Sequence, residues 1–561
     1  MESPNVLAKY IGVPIVLGLV FILWKLSQVG KRPKDLPPGP PTLPILGNLH
    51  QIPSEKAYLQ FQKWAEEYGP VYSLMLGTKP TVVLSSDVAI KELLDKRGGI
   101  YSDRPDMYVS QDVASGGHRL VVMKYGERWR TIHRLIHNIL NIKVAAKYIP
   151  YQDLENKVLL KGLLDSPGAD DLFQHLRRFA YSLSTQMIFG YRCPDFRDKR
   201  LNQLFDVFNG WSEVSESASS QLADLYPILQ KLPNFMLPSI RKGKHVHQVG
   251  RELYTEHWLK AKEHLKDGTG LAIRKLTWSQ TQPCICNDLL LAQKSENLSD
   301  EAVGYIVGSL LEGGSDTTSS TMYGFVQAMM VFQDVQKKAQ EEIDRVVGSD
   351  RLPTVDDYPN LPYIRCCVKE TLRWMPTVIM GVPHCVTKDD EYNGWKIPKG
   401  TTVINNVWGI HMDPKRSPEP RQFNPDRYAG DTTTLYESAN GEPLKRDNFN
   451  FGAGRRLCQG VHIAERSLYL GMSRILWGFY LRKALDSAGN PITPDINDLV
   501  GGITVNPRPY PIDIVPRSPE RTAIIRQAVK EAEELLNPVT GQWKKVPEGM
   551  VFGAWKPNEK K

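Results

Sequence analysis

The sequence is short of cysteine: seven in 561 residues, Cys193, Cys284, Cys286, Cys366, Cys367, Cys385 and Cys458. The number is odd and the spacing irregular, which argues against a disulfide framework and fits a reducing compartment. Cys284-x-Cys286 and the adjacent Cys366-Cys367 stand too close for a zinc ribbon and read as small buried hydrophobes. Charge of one sign is scarce as well. Seventy basic against 62 acidic residues leave +8, too thin an excess to argue for nucleic acid. It suits a membrane surface or an acidic protein partner instead. Hydrophobic residues at 41% and charged residues at 24% exclude wholesale disorder and a polytopic membrane protein. No repeat of 20–50 residues is present. Length alone suggests three or four domains at about 150 residues each.

The N-terminus carries a long apolar run. Tyr10 to Trp24 is free of charge, and with its flanks the run reaches about 20 residues, the length needed to cross a bilayer core. Lys9 and Lys25 suit the two interfaces, as does Trp24. Glu2 before the run and the lack of a small-x-small site after it argue against a cleaved signal peptide. Residues 1–30 therefore read as a retained single-pass membrane anchor. Lys25, Lys31, Arg32 and Lys34 follow it and place the remaining chain in the cytosol. Proline, 40 residues in all, is dense in 31–45, Leu36-Pro37-Pro38-Gly39-Pro40-Pro41-Thr42-Leu43-Pro44. That composition predicts a stiff extended hinge.

The rest reads as mainly helical with short strands, such as Val71–Leu76, Thr81–Leu84 and Thr401–Asn405. The longest predicted helix runs from an N-cap at Ser299 to about Phe332. Its interior breaks the usual rules with Glu312-Gly313-Gly314-Ser315-Asp316-Thr317. Two glycines cost about 1 kcal/mol each there, which points to something admitted close to the backbone; two helices with a loop between is the competing reading. Tyr363–Trp374 is a further helix, carrying Glu370 and Arg373 three residues apart on one face.

The cysteine that stands out is Cys458, in Phe449-Asn450-Phe451-Gly452-Ala453-Gly454-Arg455-Arg456-Leu457-Cys458-Gln459-Gly460. An apolar-periodic helix follows, so the thiol sits at a helix N-terminus, where dipole and N–H groups favour a thiolate. The glycines let backbone approach a flat ligand, and Arg456 suits a carboxylate. A cysteine nucleophile lacks a visible histidine base. Zinc lacks ligands beyond His462, and the glycine string is a poor phosphate loop. An axial thiolate to haem iron remains.

Phe451, Gly454, Arg456, Cys458 and Gly460 match F-x-x-G-x-R-x-C-x-G, and the chain resembles the cytochrome P-450 superfamily. Glu370-x-x-Arg373, Gly313-Gly314-x-Asp316-Thr317 and the segment 423–428 agree in order and spacing over roughly residues 36–516. Fungal microsomal members of secondary-metabolite pathways are the most similar type.

The resemblance implies a mainly α fold with small β-sheets (α+β), the cytochrome P-450 fold, with a catalytic domain at 46–516 and a C-terminal extension at 517–561. Cys458 would ligate the iron of haem b and Phe451 would shield its sulfur. Arg456, His384 and Trp129 would meet the propionates. The family's arginine four positions after Trp129 is His133 here, which leaves Arg130, His133 and Arg134 as alternatives. Glu370, Arg373 and Arg427 would form a structural triad. Asp316 and Thr317 would be the acid–alcohol pair of oxygen activation. Substrate contacts are expected from 110–118, 205–245, 306–313, 377–382 and 501–505. The activity implied is monooxygenation of a hydrophobic small molecule with O2 and electrons from NADPH through cytochrome P-450 reductase, at the endoplasmic reticulum membrane. A haem-thiolate isomerase or dehydratase, or a non-enzymatic haem-binding membrane protein, are the alternatives. The stretch 268–283 reads as an insertion, and 522–536 as an amphipathic helix in an overlong tail.

Overall fold

The computed structural model describes residues 4–266, 284–548 and 550; the insertion at 268–283 lies outside the described residues. The helices that matter for the site are α1 (Pro4–Gln28), α2 (Glu127–Leu140), α3 (Ile149–Asp165), α4 (Ala169–Phe189), α5 (Lys199–Glu216), α6 (Pro238–Lys266), α7 (Asp300–Val331), α8 (Pro362–Trp374), α9 (Val461–Gly478) and α10 (Pro519–Glu534). A four-stranded sheet has β1 (Val71–Leu76), β2 (Lys79–Leu84), β3 (His384–Cys385) and β4 (Thr402–Asn405) in the order β1-β2-β4-β3. β1 and β2 are antiparallel with Val71 opposite Leu84, β2 and β4 run parallel with Val82 opposite Val403, and His384 of β3 faces Val403.

Helix α7 is continuous through its glycines, so the two-helix reading fails. Ser299 caps it, its hydroxyl accepting from Ala302 N–H at 3.1 Å, with Asp300 and Glu301 in the first turn. Thirty-two residues at 1.5 Å each make it about 48 Å long. Its first half packs in one apolar cluster with α2, α4 and α6 through Val303, Ile306 and Leu311. Its second half packs in another with α8 and α9 through Met322, Phe325 and Met329. A helix buried this way has no polar face to spare, which explains an interior rich in glycine, serine and threonine rather than charge.

Helix α1 forms at the N-terminus, but among the described residues no helix is long and apolar enough to cross a membrane. The proline-rich stretch is extended, as its composition requires, yet it is docked rather than free. Ser73 of β1 donates its N–H to Pro38 O at 2.7 Å and its hydroxyl to Pro37 O. Leu36 is buried, and a Cβ on Gly39 would stand 1.9 Å from Ser73 O.

The pair on α8 is a buried network. Arg373 Nε and Nη2 donate to the two oxygens of Glu370 at 2.7 Å each, and Arg427 Nε approaches Glu370 Oε1 at 3.4 Å. Asn424 N–H adds a bond at 2.8 Å. Arg373 Nη1 also donates to His411 O at 3.0 Å, and His411 Nε2 accepts from Phe449 N–H at 3.3 Å. The network thus reaches the start of the cysteine loop.

The tail is part of the core. α10 begins at Pro519 rather than 522, and Arg521 Nη1 donates to Trp477 O of α9 at 2.7 Å. Beyond it, Trp543 is buried and donates its Nε1–H to Gln186 Oε1 of α4 at 2.7 Å. Gly541 O accepts from Arg192 at 2.6 Å, and Arg192 in turn bonds the fully buried Glu155 of α3 at 2.7 Å.

Trp543→Ala should therefore lower stability by roughly 3 kcal/mol, read as a drop in thermal midpoint. A shift no larger than that of Val539→Ala, at an exposed position, would show that the tail is not part of the core. Glu370→Gln leaves Arg373 as a lone buried cation and should cost at least about 3 kcal/mol; an unchanged urea midpoint would refute this.

Candidate functional site

A cavity of about 320 Å³ lies between α2, α4, α7 and the cysteine loop. Cys458, Gly460, Phe451 and Arg456 line it from the loop, Trp129 and His133 from α2, and Gly313, Gly314 and Thr317 from α7. The loop is pinned by backbone geometry. Cys458 N–H donates to Phe451 O at 2.8 Å, and Gly454 N–H donates to Asp95 Oδ1 at 2.7 Å. Gly454 has φ +57°, and a Cβ there would lie 2.0 Å from Leu94 O. Only glycine meets both demands. Gly454 itself is outside the cavity lining; it shapes the turn that presents Cys458.

All seven cysteines are free; six are buried and Cys458 alone is exposed, its sulfur opening onto the cavity. Protein surrounds the thiol on its other sides. Burial pushes it above its ordinary range, and the Gly460 N–H only partly offsets this. The helix-terminus N–H thus acts in the expected direction, against burial. His462, weighed as a zinc ligand, packs against Tyr436 instead. No group of three or more His, Cys, Asp or Glu able to hold a metal occurs among the described residues.

Two arginines, Arg104 and Arg456, also line the cavity. Arg456 Nε donates to Ser102 O at 2.9 Å and Nη2 to Met123 O at 2.7 Å, with its guanidinium 4.2 Å from the centre of the Trp129 ring. Arg104, which the sequence reading missed, donates to Val382 O at 2.8 Å, Pro383 O at 2.7 Å and Val121 O at 3.0 Å. Burial holds Arg456 down to about 10 and, with the charge of Arg456, Arg104 well below its ordinary value. Neither forms a salt bridge among the described residues, although the charge of Asp103 lies close enough to act on both. His384 does not line the cavity. It donates Nδ1–H to Tyr101 O at 2.7 Å, and burial, then the nearby Arg104, holds its imidazole down to about 3.

Two desolvated guanidiniums whose hydrogen bonds go only to carbonyls, with Asp103 as the acidic charge nearby, leave a place for a further anion. A flat ligand with carboxylates for the arginines and a metal for Cys458 would suit this set of donors. The haem implied by the cysteine motif therefore fits the donors present.

Helix geometry sorts the remaining candidates. His133 shares the Trp129 face and stacks on it, ring centres 4.4 Å apart, and burial holds it down to about 4. Arg130 is turned about 100° from Trp129; it is exposed, lies over Tyr125 at 5.8 Å and stays outside the lining. Arg134 faces out as well and pairs with Glu296 at 3.2 Å. On α7, a Cβ on Gly313 would meet nothing within 4 Å, whereas one on Gly314 would stand 2.5 Å from Ser184 Oγ of α4. Thr317 lines the cavity and donates its hydroxyl to Gly313 O at 2.7 Å. Asp316 does not line it. Its Oδ2 accepts from the Thr504 hydroxyl at 2.5 Å, and burial raises its carboxyl despite that bond. Thr504 was foreseen only as part of the 501–505 segment.

Among the described residues, only 306–313 of the expected substrate segments reaches the cavity, through Ser309, Leu310 and Gly313. Ala114, Phe208, Trp211, Leu237 and Ile240 form a separate apolar cluster, with Val382 and Ile503 packed against it.

Residues 37–513 match the family model for cytochrome P-450. The chain is 51% identical to cytochrome P-450 monooxygenase virE of Hypocrea virens, over 96% of each protein. It is 47% identical to cytochrome P-450 monooxygenase fogE of Aspergillus ruber, over 96% of this chain and 97% of that one. Cytochrome P-450 monooxygenase fsoB of Humicola fuscoatra is 46% identical over the same shares. Motif, donor set, fold and full-length similarity lead to one assignment: the chain belongs to the cytochrome P-450 family.

Proposed function

We propose that this protein is a haem-thiolate monooxygenase that hydroxylates or otherwise oxidises a hydrophobic small molecule in fungal secondary metabolism. One oxygen atom of O2 enters the substrate and the other leaves as water, with two electrons from NADPH through a reductase and two protons. The observation that carries the reading is one cavity lined by a single cysteine and by two arginines, Arg104 and Arg456, whose hydrogen bonds go only to carbonyls. Haem b, held through Cys458, supplies the oxygen and redox chemistry. Phe451 shields the sulfur, and Arg456 and Arg104 neutralise the propionates, with His133 and Trp129 beside them. Thr317 holds a hydroxyl at the cavity wall. Asp316, a neighbour on α7 whose burial favours a bound proton, is the acid that resupplies it, and Thr504 holds it between turnovers. Apolar wall residues such as Leu120, Val121, Leu183, Ile188 and Leu310 exclude water and hold the substrate.

Residues 1–30 act as the membrane anchor and place the 46–516 domain on the cytosolic face of the endoplasmic reticulum. Ile15 to Leu23 are more than half exposed wherever a large apolar side chain occurs, and Lys25 lies 5.6 Å from the Phe21 ring and 5.5 Å from the Trp24 ring, a pattern suited to an interface.

The reduced, carbon-monoxide-treated protein should show the red-shifted Soret band of a thiolate-ligated haem, and with reductase and NADPH a product gaining one oxygen atom. Cys458→Ser should lose both; a retained band would sink the assignment. Asp316→Asn should keep the band but lower kcat by roughly 10²-fold, NADPH electrons escaping as peroxide; full coupling would exclude the acid role. Removing residues 1–30 should shift the protein from the membrane pellet to the supernatant with the band intact, whereas an unchanged distribution would rule out anchoring by this segment.

A further inference from the structure

Arg119 stands apart from the arginines that face the cavity. It is 2% exposed and immediately precedes Leu120 and Val121, two wall residues of the cavity. Its Nη1 donates to Glu312 Oε2 of α7, and its Nε donates to Ser115 Oγ at 3.2 Å. Its guanidinium carbon lies 4.1 Å from the centre of the Trp211 ring of α5. The second oxygen of Glu312 accepts from the Tyr254 hydroxyl of α6. Trp211 closes the circuit, donating Nε1–H to Ser110 O at 2.9 Å. Three stretches of chain, the 110–119 segment, α5 and α7, therefore meet at one guanidinium, and α6 joins them through Glu312.

The approach is prepared in the sequence of α7. Gly308 lies one turn before Glu312, and a Cβ there would stand 2.5 Å from the Tyr254 ring. The glycine admits the ring, and the ring's hydroxyl then reaches Glu312. A buried ion pair adds little net stability over an apolar substitute. What the rigid guanidinium adds is orientation, since it fixes donors and a stacking plane together.

Neither Arg119 nor Glu312 lines the cavity, but their sequence neighbours do: Leu120 and Val121 on one side, Leu310 and Gly313 on the other. We propose that Arg119 is a positioning residue for substrate selection: through Glu312, Trp211 and Tyr254 it sets the 120–121 wall against α7, and so sets which shapes of hydrophobic substrate the cavity accepts. This rests on the reading of the cavity as the haem and substrate site.

The test compares two iron-binding probes in the intact holoenzyme, imidazole and 4-phenylimidazole, by spectral titration. Imidazole needs the haem alone, whereas the phenyl ring needs the wall. Arg119→Lys, which keeps charge but loses the planar stack, and Glu312→Gln should weaken 4-phenylimidazole by at least about tenfold and imidazole by less than about twofold, that is by a difference near 1 kcal/mol. Hydrogen exchange in 108–122 should rise while 449–460 stays unchanged. Should these variants not take up haem, Tyr254→Phe removes one hydroxyl from Glu312 and should move the same ratio by a smaller factor. A normal carbon-monoxide band with an unchanged probe ratio would overturn the positioning role alone. Loss of that band in the unaltered protein would overturn the haem reading itself, and this inference with it.

Discussion

Charge buried without a salt bridge is the constraint around which this site is built. Arg104 and Arg456 enter the cavity wall from different segments, and the hydrogen bonds of each go only to backbone carbonyls, with Arg456 also over the Trp129 ring. Those carbonyls belong to Ser102, Met123, Val121, Val382 and Pro383. Stretches before α2 and before β3 are thus gathered around the same pair of cations, together with the cysteine loop that carries Arg456. Carbonyl dipoles solvate a guanidinium but do not neutralise it, and the depressed values of both arginines express the remaining cost. An anionic cofactor removes that cost only in the native state, so its binding free energy becomes stability of the fold.

Helix α7 supplies the second constraint, because it must pass the cavity without filling it. Successive residues on a helix point about 100° apart, and here Asp316 and Thr317 meet different surroundings. Thr317 takes the cavity, while Asp316 takes the 501–505 loop and the Thr504 hydroxyl. The adjacent glycines both line the cavity: a Cβ on Gly313 would meet nothing within 4 Å, and Gly314 also lets α4 approach through Ser184. One helix thereby keeps the alcohol and the acid in separate environments, one in the cavity and one in a dry pocket where a carboxyl holds its proton more firmly.

Much of this was legible in the sequence, and the exceptions share a cause. The cap at Ser299, the glycine break, the Glu370–Arg373 pair and the cysteine turn are local patterns, set by residues within a few positions of one another. Arg104, Thr504 and Arg119 act across hundreds of residues and carry no local signature. Of the three alternatives after Trp129, helical rotation sends Arg130 and Arg134 to solvent and brings His133 inward. The three or four domains suggested by length give way to one family match over residues 37–513. The proline stretch was read correctly as extended, yet its carbonyls pair with Ser73 of β1, a contact that composition does not specify.

The two sides of the cavity are held by different kinds of interaction, and the difference is informative. The cysteine side hangs on Glu370, which is fully buried and receives Arg373, Arg427 and a backbone N–H. From there Arg373, His411 and Phe449 lead to the loop in a chain of single well-directed bonds. Such a chain tolerates little displacement, as suits a thiolate that must meet a metal at fixed distance. The facing side hangs on Arg119, which reaches the 108–122 segment, α5, α6 and α7 through one ion pair and one aromatic stack. Around it the contacts are apolar, and apolar packing accepts volume-conserving exchange far more readily than a hydrogen-bonded turn does. A fold that fixes its chemistry by directed bonds and its substrate wall by packing around one guanidinium can change what it oxidises without disturbing how.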